Sequence, residues 1–365
     1  MPYRSHTRRR WEVTHADCFD EIPKLQADSV DTVISDPPYG ISINGLDWDR
    51  PSALNPQGSR KTSPAAALQL FSTRWASECL RVLKPGAYLA AFADPRSAHR
   101  LALGLEEAGF ELRDILMWLH SQGIPAPSRR DAGRSPALKP AYEPIVLARK
   151  PLAGTLDNNL TTYGTGALNV DACRVTATSC AGEGRSRSRV STTPCSGGGG
   201  GRWPSDVLLS HGDGCTRNTC ERDCPIHLLG ERHRFFYCAK AQRREREAGC
   251  EQLPRRTIQT FNLGRPEELE RAKTHLVANI HPTVKPIDLM RWLVRLLTPS
   301  DGLVLDPFAG SGSTGAAAVL EGVRFHGIER EASYVPIARA RITHWSRRRP
   351  QCTAESARTR RTAEA

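Results

Sequence analysis

The sequence predicts an α/β protein built on a mostly parallel sheet. Three observations carry that expectation. Strand and helix patterns alternate over residues 11 to 150, and the same rhythm returns after residue 279. A glycine-rich turn at residues 306 to 315 joins a strand to a helix. Between the two halves, over residues 151 to 280, the rhythm breaks, which marks an inserted and partly flexible region.

The elements follow in order. Ser29 to Ser35 reads as a strand ending at Asp36. Residues 41 to 64 carry Gly, Pro, Ser and Asn with little periodicity, as a loop over a site would. Ala66 to Leu83 is helical and stops at Lys84-Pro85-Gly86. Ala87 to Phe92 is a short apolar strand, and Ser97 to Ala108 a helix capped by Gly109. Leu112 to Leu119 and Glu143 to Ala148 are further strands. After the insertion, Pro286 to Leu297 is a helix with an apolar stripe at Leu289, Leu293, Leu296 and Leu297. Leu303 to Leu305 and Arg324 to Ile328 are strands, and Thr314 to Glu321 and Tyr334 to Trp345 are helices. Residues 346 to 365 form a polar, basic tail expected to be disordered.

Bulk properties narrow the class. The chain has 365 residues, 25% of them charged and 39% hydrophobic, which fits a soluble globular protein. No apolar run is long enough to span a membrane, and the basic N-terminus lacks the apolar stretch of a signal peptide, so a cytoplasmic protein is expected. Fifty-one Lys and Arg against 39 Asp and Glu give a net charge of +12. Such an excess suits a polyanionic partner, although solubility or a basic tail explains it equally well. Eleven cysteines, an odd number, argue against a disulfide framework.

Two segments carry chemistry. In Asp306-Pro-Phe-Ala-Gly-Ser-Gly-Ser-Thr-Gly315, Gly310, Gly312 and Gly315 let the backbone approach a ligand beside a helix N-terminus. Glu329 ends the next strand, where a carboxylate can accept from both hydroxyls of a ribose. A nucleoside-bearing cofactor follows. NAD is the rival reading. Its fingerprint opens a half-sheet, however, and only about fifty residues follow Gly315, so the missing strands must come from residues 11 to 150 in permuted order.

The second segment is Asp36-Pro37-Pro38-Tyr39-Gly40, directly after a strand. The prolines remove backbone donors and stiffen the turn, leaving carbonyls free to face a ligand. An exocyclic amine of a nucleobase is a poor nucleophile, because its lone pair is delocalised into the ring. The Asp36 carboxylate and the Pro37 carbonyl can each take one amino hydrogen and aim the lone pair at the methyl of a sulfonium. Tyr39 offers a face on which an extruded base can stack.

These residues resemble the amino-group DNA methyltransferases of the permuted (beta) class. Asp36 to Tyr39 is similar to their D-P-P-Y tetrad, and Phe308 to Gly312 to their F-x-G-x-G cofactor loop. His281-Pro-Thr-Val-Lys-Pro286 is similar to their H-P-T-x-K-P segment, near the methionine part of the cofactor. Asp17 resembles the acidic residue that reaches the cofactor adenine, although Ala16 precedes it where many members have Gly. The resemblance implies a Rossmann-like S-adenosylmethionine-dependent methyltransferase fold. Residues 11–150 would form the catalytic half, residues 151–280 an inserted target-recognition domain, and residues 281–345 the cofactor half.

The resemblance further implies S-adenosyl-L-methionine bound by Asp17, His281, Thr283, Lys285, Asp306, Phe308, Gly310, Gly312 and Glu329. Catalysis falls to Asp36, Pro37, Pro38 and Tyr39 on a base rotated out of double-stranded DNA. Asp at the head of the tetrad favours N6 of adenine over N4 of cytosine. Methylation of RNA or of a protein amide is counted against by the motif order, and a non-catalytic DNA-binding protein by the intact motifs. The host would be a bacterium or a phage, and a homodimer and a cognate restriction endonuclease are left open.

In the insertion, Arg174, Arg202, Trp203, Arg232 and Arg234 supply charge and an aromatic for DNA. Phe235 to Tyr237 read better as a buried strand than as base contacts. His211, Cys215, Cys220 and Cys224 fall at H-x3-C-x4-C-x3-C, a set that could hold a structural zinc; reduced, unligated cysteines are the alternative.

Overall fold

The computed structural model describes residues 10–55, 62–120, 138, 141–174, 204–208, 240–260 and 273–348. Their core is one eight-stranded sheet. Its strands are β1 (Trp11–His15), β2 (Val30–Ser35), β3 (Leu83–Phe92), β4 (Glu111–Leu119), β5 (Tyr142–Arg149), β6 (Val207–Leu208), β9 (Leu303–Asp306) and β10 (Arg324–Glu329). Two further strands, β7 (Arg256–Thr260) and β8 (Lys273–Val277), pair antiparallel on their own. The order across the large sheet is β1-β10-β9-β2-β3-β5-β4-β6. Every pairing is parallel except the two made by β5, which runs against both β3 and β4.

Alternation along the strands builds two cores. Ile34, Ala90, Phe92, Ile145 and Leu147 enter one apolar cluster. Val33, Leu89, Ala91, Val146 and Ala148 enter the other. The second face is covered by α1 (Cys18–Glu21), α2 (Pro64–Val82) and α3 (Ala98–Glu107). The first face carries α6 (Ile287–Leu297), α7 (Ser313–Glu321) and α8 (Val335–Ser346). Two short helices, α4 (Leu156–Tyr163) and α5 (Arg243–Glu247), lie between them in sequence. The predicted stripe on α6 is buried at all four leucines. Its outward Arg291 and Arg295 both bind Glu321 of α7, at 2.7 and 2.8 Å.

The sequence-predicted strands and helices in the described residues are present, with ends displaced by up to a few residues. Seven of the described strands and helices went unforeseen: β1, α1, α4, β6, α5, β7 and β8. β1 and α1 are too short for periodicity to reveal. In α4, Asn159 is buried and bonds back to Pro85 and Thr165, so local tertiary contacts hold the turn. The β7–β8 pair lies in the stretch expected to be loose.

Topology decides where a ligand can sit. From β2 the chain moves through α2 to β3, on one side; from β9 it moves through α7 to β10, on the other. β2 and β9 are neighbours, so their carboxyl ends flank the point where strand order reverses, the usual crevice of an open α/β sheet.

Candidate active site

β2 ends at Ser35 and releases the chain into Asp36-Pro-Pro-Tyr39. β9 ends at Asp306 and releases it into the glycine loop. Both turns line one cavity of about 800 Å³, mouth included, together with Asp17 and Glu329. Asp36, Pro37, Pro38 and Tyr39 form one part of its wall, and Phe308 and Gly310 another. His281 and Thr283 complete it.

Three predicted residues do not line this cavity but support it. Asp306 is buried beneath, accepting from the Ser35 hydroxyl at 2.5 Å and from the Phe308 amide at 3.1 Å. Burial pushes its carboxyl up to about 6. Gly312, at φ +75°, caps α7 where it meets Ala338 of α8. Lys285 lies on the far side of Asp36. Its Nζ is 2.7 Å from Asp36 Oδ2 and 2.8 Å from Glu143 Oε1.

The side chains around Glu329 and Gly310 have the chemistry to hold a nucleoside. Glu329 Oε2 accepts from the Gly310 amide and Oε1 from the Glu331 amide, both at 2.7 Å. Those bonds fix the carboxylate and leave further lone pairs toward the cavity. Burial pushes Glu329 up to about 7. His281 is buried, and burial first, then the Lys285 charge, pull it down to about 3, so the ring is neutral. It stacks on Trp48 and meets Tyr334 edge-on, with centroids 6.5 and 4.6 Å away. Its Nδ1 is buried without a hydrogen-bond partner. Gly310 lies so close that a Cβ there would stand 2.6 Å from His281 Nε2. Phe308 is anchored between Phe71 and Trp75. Carboxylates for hydroxyls, aromatic walls and a neutral imidazole with a free nitrogen fit an adenosyl sulfonium.

The catalytic end is a charged cluster. Tyr39 Oη is 2.5 Å from both Asp36 Oδ1 and Glu143 Oε1. Burial raises Asp36 above the usual carboxylate range, and the Glu143 charge adds to this against the pull of Lys285. For Glu143 burial also opposes the charge, but the Lys285 charge, the hydrogen bonds from Lys285 and Tyr39 and the Lys240 charge together hold that carboxyl low.

Three contributors escaped the sequence reading. Glu143 looked like the polar start of an apolar strand. Trp48 and Asp49 lie in the loop after the tetrad, where two short 3-10 turns, Ile43–Gly45 and Asp47–Asp49, replace the expected irregular chain. The buried Asp49 carboxylate accepts from the amides of Tyr39, Gly40, Ile41 and Ile43, at 2.7 to 3.3 Å. A D-W-D signal eight to ten residues beyond a D-P-P-Y turn could have been read as a loop anchor. His211, Cys215, Cys220 and Cys224 lie outside the described residues, as do Arg202, Trp203 and residues 232–237. Among the described residues no group of three or more His, Cys, Asp and Glu could hold a metal ion. Nor is any helix of theirs long and apolar enough to cross a membrane.

A nucleoside cradle and a D-P-P-Y turn facing each other at the reversal of an open sheet define a methyltransferase of amino groups. The chain belongs to the N6/N4 DNA methylase family, whose model, described as DNA methylase, matches residues 30–340, and it is an S-adenosylmethionine-dependent methyltransferase of DNA amino groups. Type II methyltransferase M.HindIII of Haemophilus influenzae is 24% identical, covering 90% of this chain and 94% of that one. Type II methyltransferase M2.DpnII of Streptococcus pneumoniae is 22% identical, covering 93% and 92%. Among solved structures, PvuII DNA methyltransferase (cytosine-N4-specific) shares the fold with a TM-score of 0.53 at 16% identity, over 93% of this chain and 92% of that one.

Proposed function

We propose that the protein methylates N6 of adenine at a specific site in double-stranded DNA, with Asp36 and the Pro37 carbonyl as the acceptors of the target amine. One observation supports the arrangement above others: the Asp36 turn and the Gly310 loop face each other across a single cavity.

Bound there, S-adenosylmethionine supplies a methyl group on a sulfonium. Glu329 takes the ribose hydroxyls and Asp17 the adenine end. The neutral His281 ring, wedged between Trp48 and Tyr334, walls the cofactor without adding positive charge beside the sulfonium. Thr283 Oγ1, 3.3 Å from Asp36 Oδ2, reaches the acceptor carboxylate from the cofactor side. Asp36 and the Pro37 carbonyl hold the two amino hydrogens, and the Tyr39 ring stacks on the base.

Adenine is favoured by Asp at the head of the tetrad; N4 of cytosine is the second reading. Nucleoside analysis of DNA incubated with enzyme and cofactor decides between them. N6-methyladenine supports the proposal, N4-methylcytosine replaces it with the second reading, and no methylated base overturns both.

Residues 151–280 are assigned to target recognition by their place between the halves and by their basic, aromatic content. The named relatives are type II methyltransferases; by analogy this enzyme would work in the cytoplasm of a bacterium, or of a phage-infected one. A cognate endonuclease and a homodimer are further expectations, the second checked by sedimentation velocity. Zinc at the Cys215 to Cys224 cluster is checked by metal analysis, where less than about a tenth of an equivalent removes it.

A further inference from the structure

We propose that Glu143, working through the Tyr39 hydroxyl, is the acceptor for the proton that Asp36 must shed to act on an amine. The inference rests on the assignment of Asp36 as the amine acceptor and adds a residue that neither motif contains.

The fold explains how Glu143 comes to be there. The parallel strands deliver their carboxyl ends to the site. β5 is antiparallel to both neighbours, so it delivers its beginning instead. Ile145 pairs with Phe92 at the end of β3, and the Ala93 amide bonds the Pro144 carbonyl. Glu143 therefore lies at the same edge of the sheet as Asp36.

Proton counting then does the work. Two carboxylate oxygens lie 2.5 Å from one phenol oxygen, and a phenol has one proton. Tyr39 can donate to one carboxyl only, so a bond to the other requires that carboxyl to carry a proton. The Lys285 ammonium points two hydrogens at Asp36 Oδ2 and Glu143 Oε1, and its distance to Tyr39 Oη is 3.4 Å. Two carboxyls, the one ammonium that bonds them both and one extra proton make a neutral buried set, whereas two bare carboxylates would carry a charge that Lys285 alone does not balance. Burial favours the proton on Asp36, and Lys285 favours charge on Glu143. Lys240 further favours the Glu143 charge and is sensed, with Glu143, by the buried His120. Asp306 lies close enough for Asp36 to influence its ionisation.

A protonated Asp36 is a weaker acceptor for its one amino hydrogen than a carboxylate. At rest the proton stays on Asp36; the positive sulfonium and the amine hydrogen, when bound, would favour the anion there and reverse that preference, moving the proton. The Asp36 O–H bond breaks as an O–H bond forms on the Tyr39 oxygen. The original Tyr39 O–H breaks, and its proton forms an O–H bond on Glu143. Asp36 is now anionic, Tyr39 unchanged and Glu143 neutral. When the amine nitrogen takes the methyl group, the sulfonium leaves as a neutral thioether. The nitrogen's surplus proton passes to Asp36, and one proton per turnover leaves to solvent. Glu143 touches neither base nor cofactor; it positions and charges the groups that do.

The experiment measures steady-state methylation against pH, with cofactor affinity by calorimetry, for the full-length enzyme and its variants. Glu143→Gln should lower turnover about 10- to 100-fold at the pH optimum. It should also move the acidic limb to higher pH by about one unit, because the Asp36 proton then has no internal acceptor and must leave to solvent. Cofactor affinity should stay within about threefold of wild type, a limit set from the cluster lying apart from the ribose contacts. Glu143→Asp should restore the limb to its wild-type position. Tyr39→Phe should lose turnover comparably, and the double variant should be no slower than the slower single one. An unmoved limb in Glu143→Gln, or losses that multiply in the double variant, would overturn the relay. If Glu143→Gln does not fold, Tyr39→Phe decides, and wild-type turnover there sinks the proposal. Activity in Asp36→Ala would instead overturn the assignment of Asp36 itself.

Discussion

The Ser35 hydroxyl donates to Asp306 Oδ1 at 2.5 Å, joining the last residue of β2 to the last residue of β9. This bond ties the two chemical segments together, because Asp36 follows one partner and the glycine loop follows the other. Asp306 also accepts from the Phe308 amide, so one buried carboxyl orients both turns. The separation between base acceptor and cofactor cradle is thus set by two adjacent strands rather than by mobile loops.

The first prediction concerns Asp36. Replacing it with Ala should cut methyl transfer by about 10²- to 10³-fold or more, as loss of a preorganised acceptor does. Cofactor affinity should change little, because Glu329 and Asp17 are held by partners other than Asp36. Radiolabelled methyl transfer and calorimetry test the two halves separately. Weakened cofactor binding equal to the loss in rate would contradict the division.

Cofactor affinity should depend on pH through Glu329. Its carboxyl titrates near 7 in the free protein, and accepting two ribose hydroxyls favours the ionised form. Binding therefore releases a proton below that pH, and affinity rises as pH goes from 6 to 8 before levelling off. Below 7 each unit should weaken binding by up to about tenfold. Asp306 is held near 6 but lies under the cavity, so its share should be smaller. Glu329→Gln should bind weakly and without this slope. Calorimetry in two buffers of different ionisation enthalpy reads the proton directly.

Two glycines should fail for different reasons. Gly310→Ala puts a Cβ 2.6 Å from the buried His281 ring at φ +50°, so the cofactor loop must move. The expected result is lost cofactor binding with a modest change in melting temperature. Gly315→Ala meets Ile342 at 2.5 Å and Phe325 at 2.6 Å, inside the packing of α7 against α8 and β10. That should cost about 1–3 kcal/mol of stability, seen in thermal melts.

Asp49→Ala should disable the enzyme by loosening the turn that carries the tetrad. The variant strands four amides between Tyr39 and Ile43. Each amide left unsatisfied costs about 1–3 kcal/mol, reduced where water enters. Turnover should fall and cofactor binding weaken together, because Trp48, the neighbour of His281, belongs to the same loop. Asp49→Asn, which keeps one acceptor oxygen, should recover part of both. Unchanged activity in the Ala variant would show that the tetrad holds its shape alone.

Much of this molecule is written in short stretches of sequence. Asp36 to Tyr39 after an apolar strand, Phe308 to Gly315 between strand and helix, and Glu329 at a strand end each announce their local geometry, because each depends on backbone conformation that a few neighbouring residues fix. The amphipathic stripe of α6 is legible for the same reason. What only the tertiary structure decided is who meets whom. Lys285 was read as a cofactor contact from its motif, yet the fold swings it between Asp36 and Glu143. Glu143 itself carries no local signal; it reaches the site because β5 runs backwards beside β3. Asp49 is one acid among many until the loop closes around it. Electrostatics between residues remote in the chain depend on sheet order and strand direction, and those are settled by long-range packing.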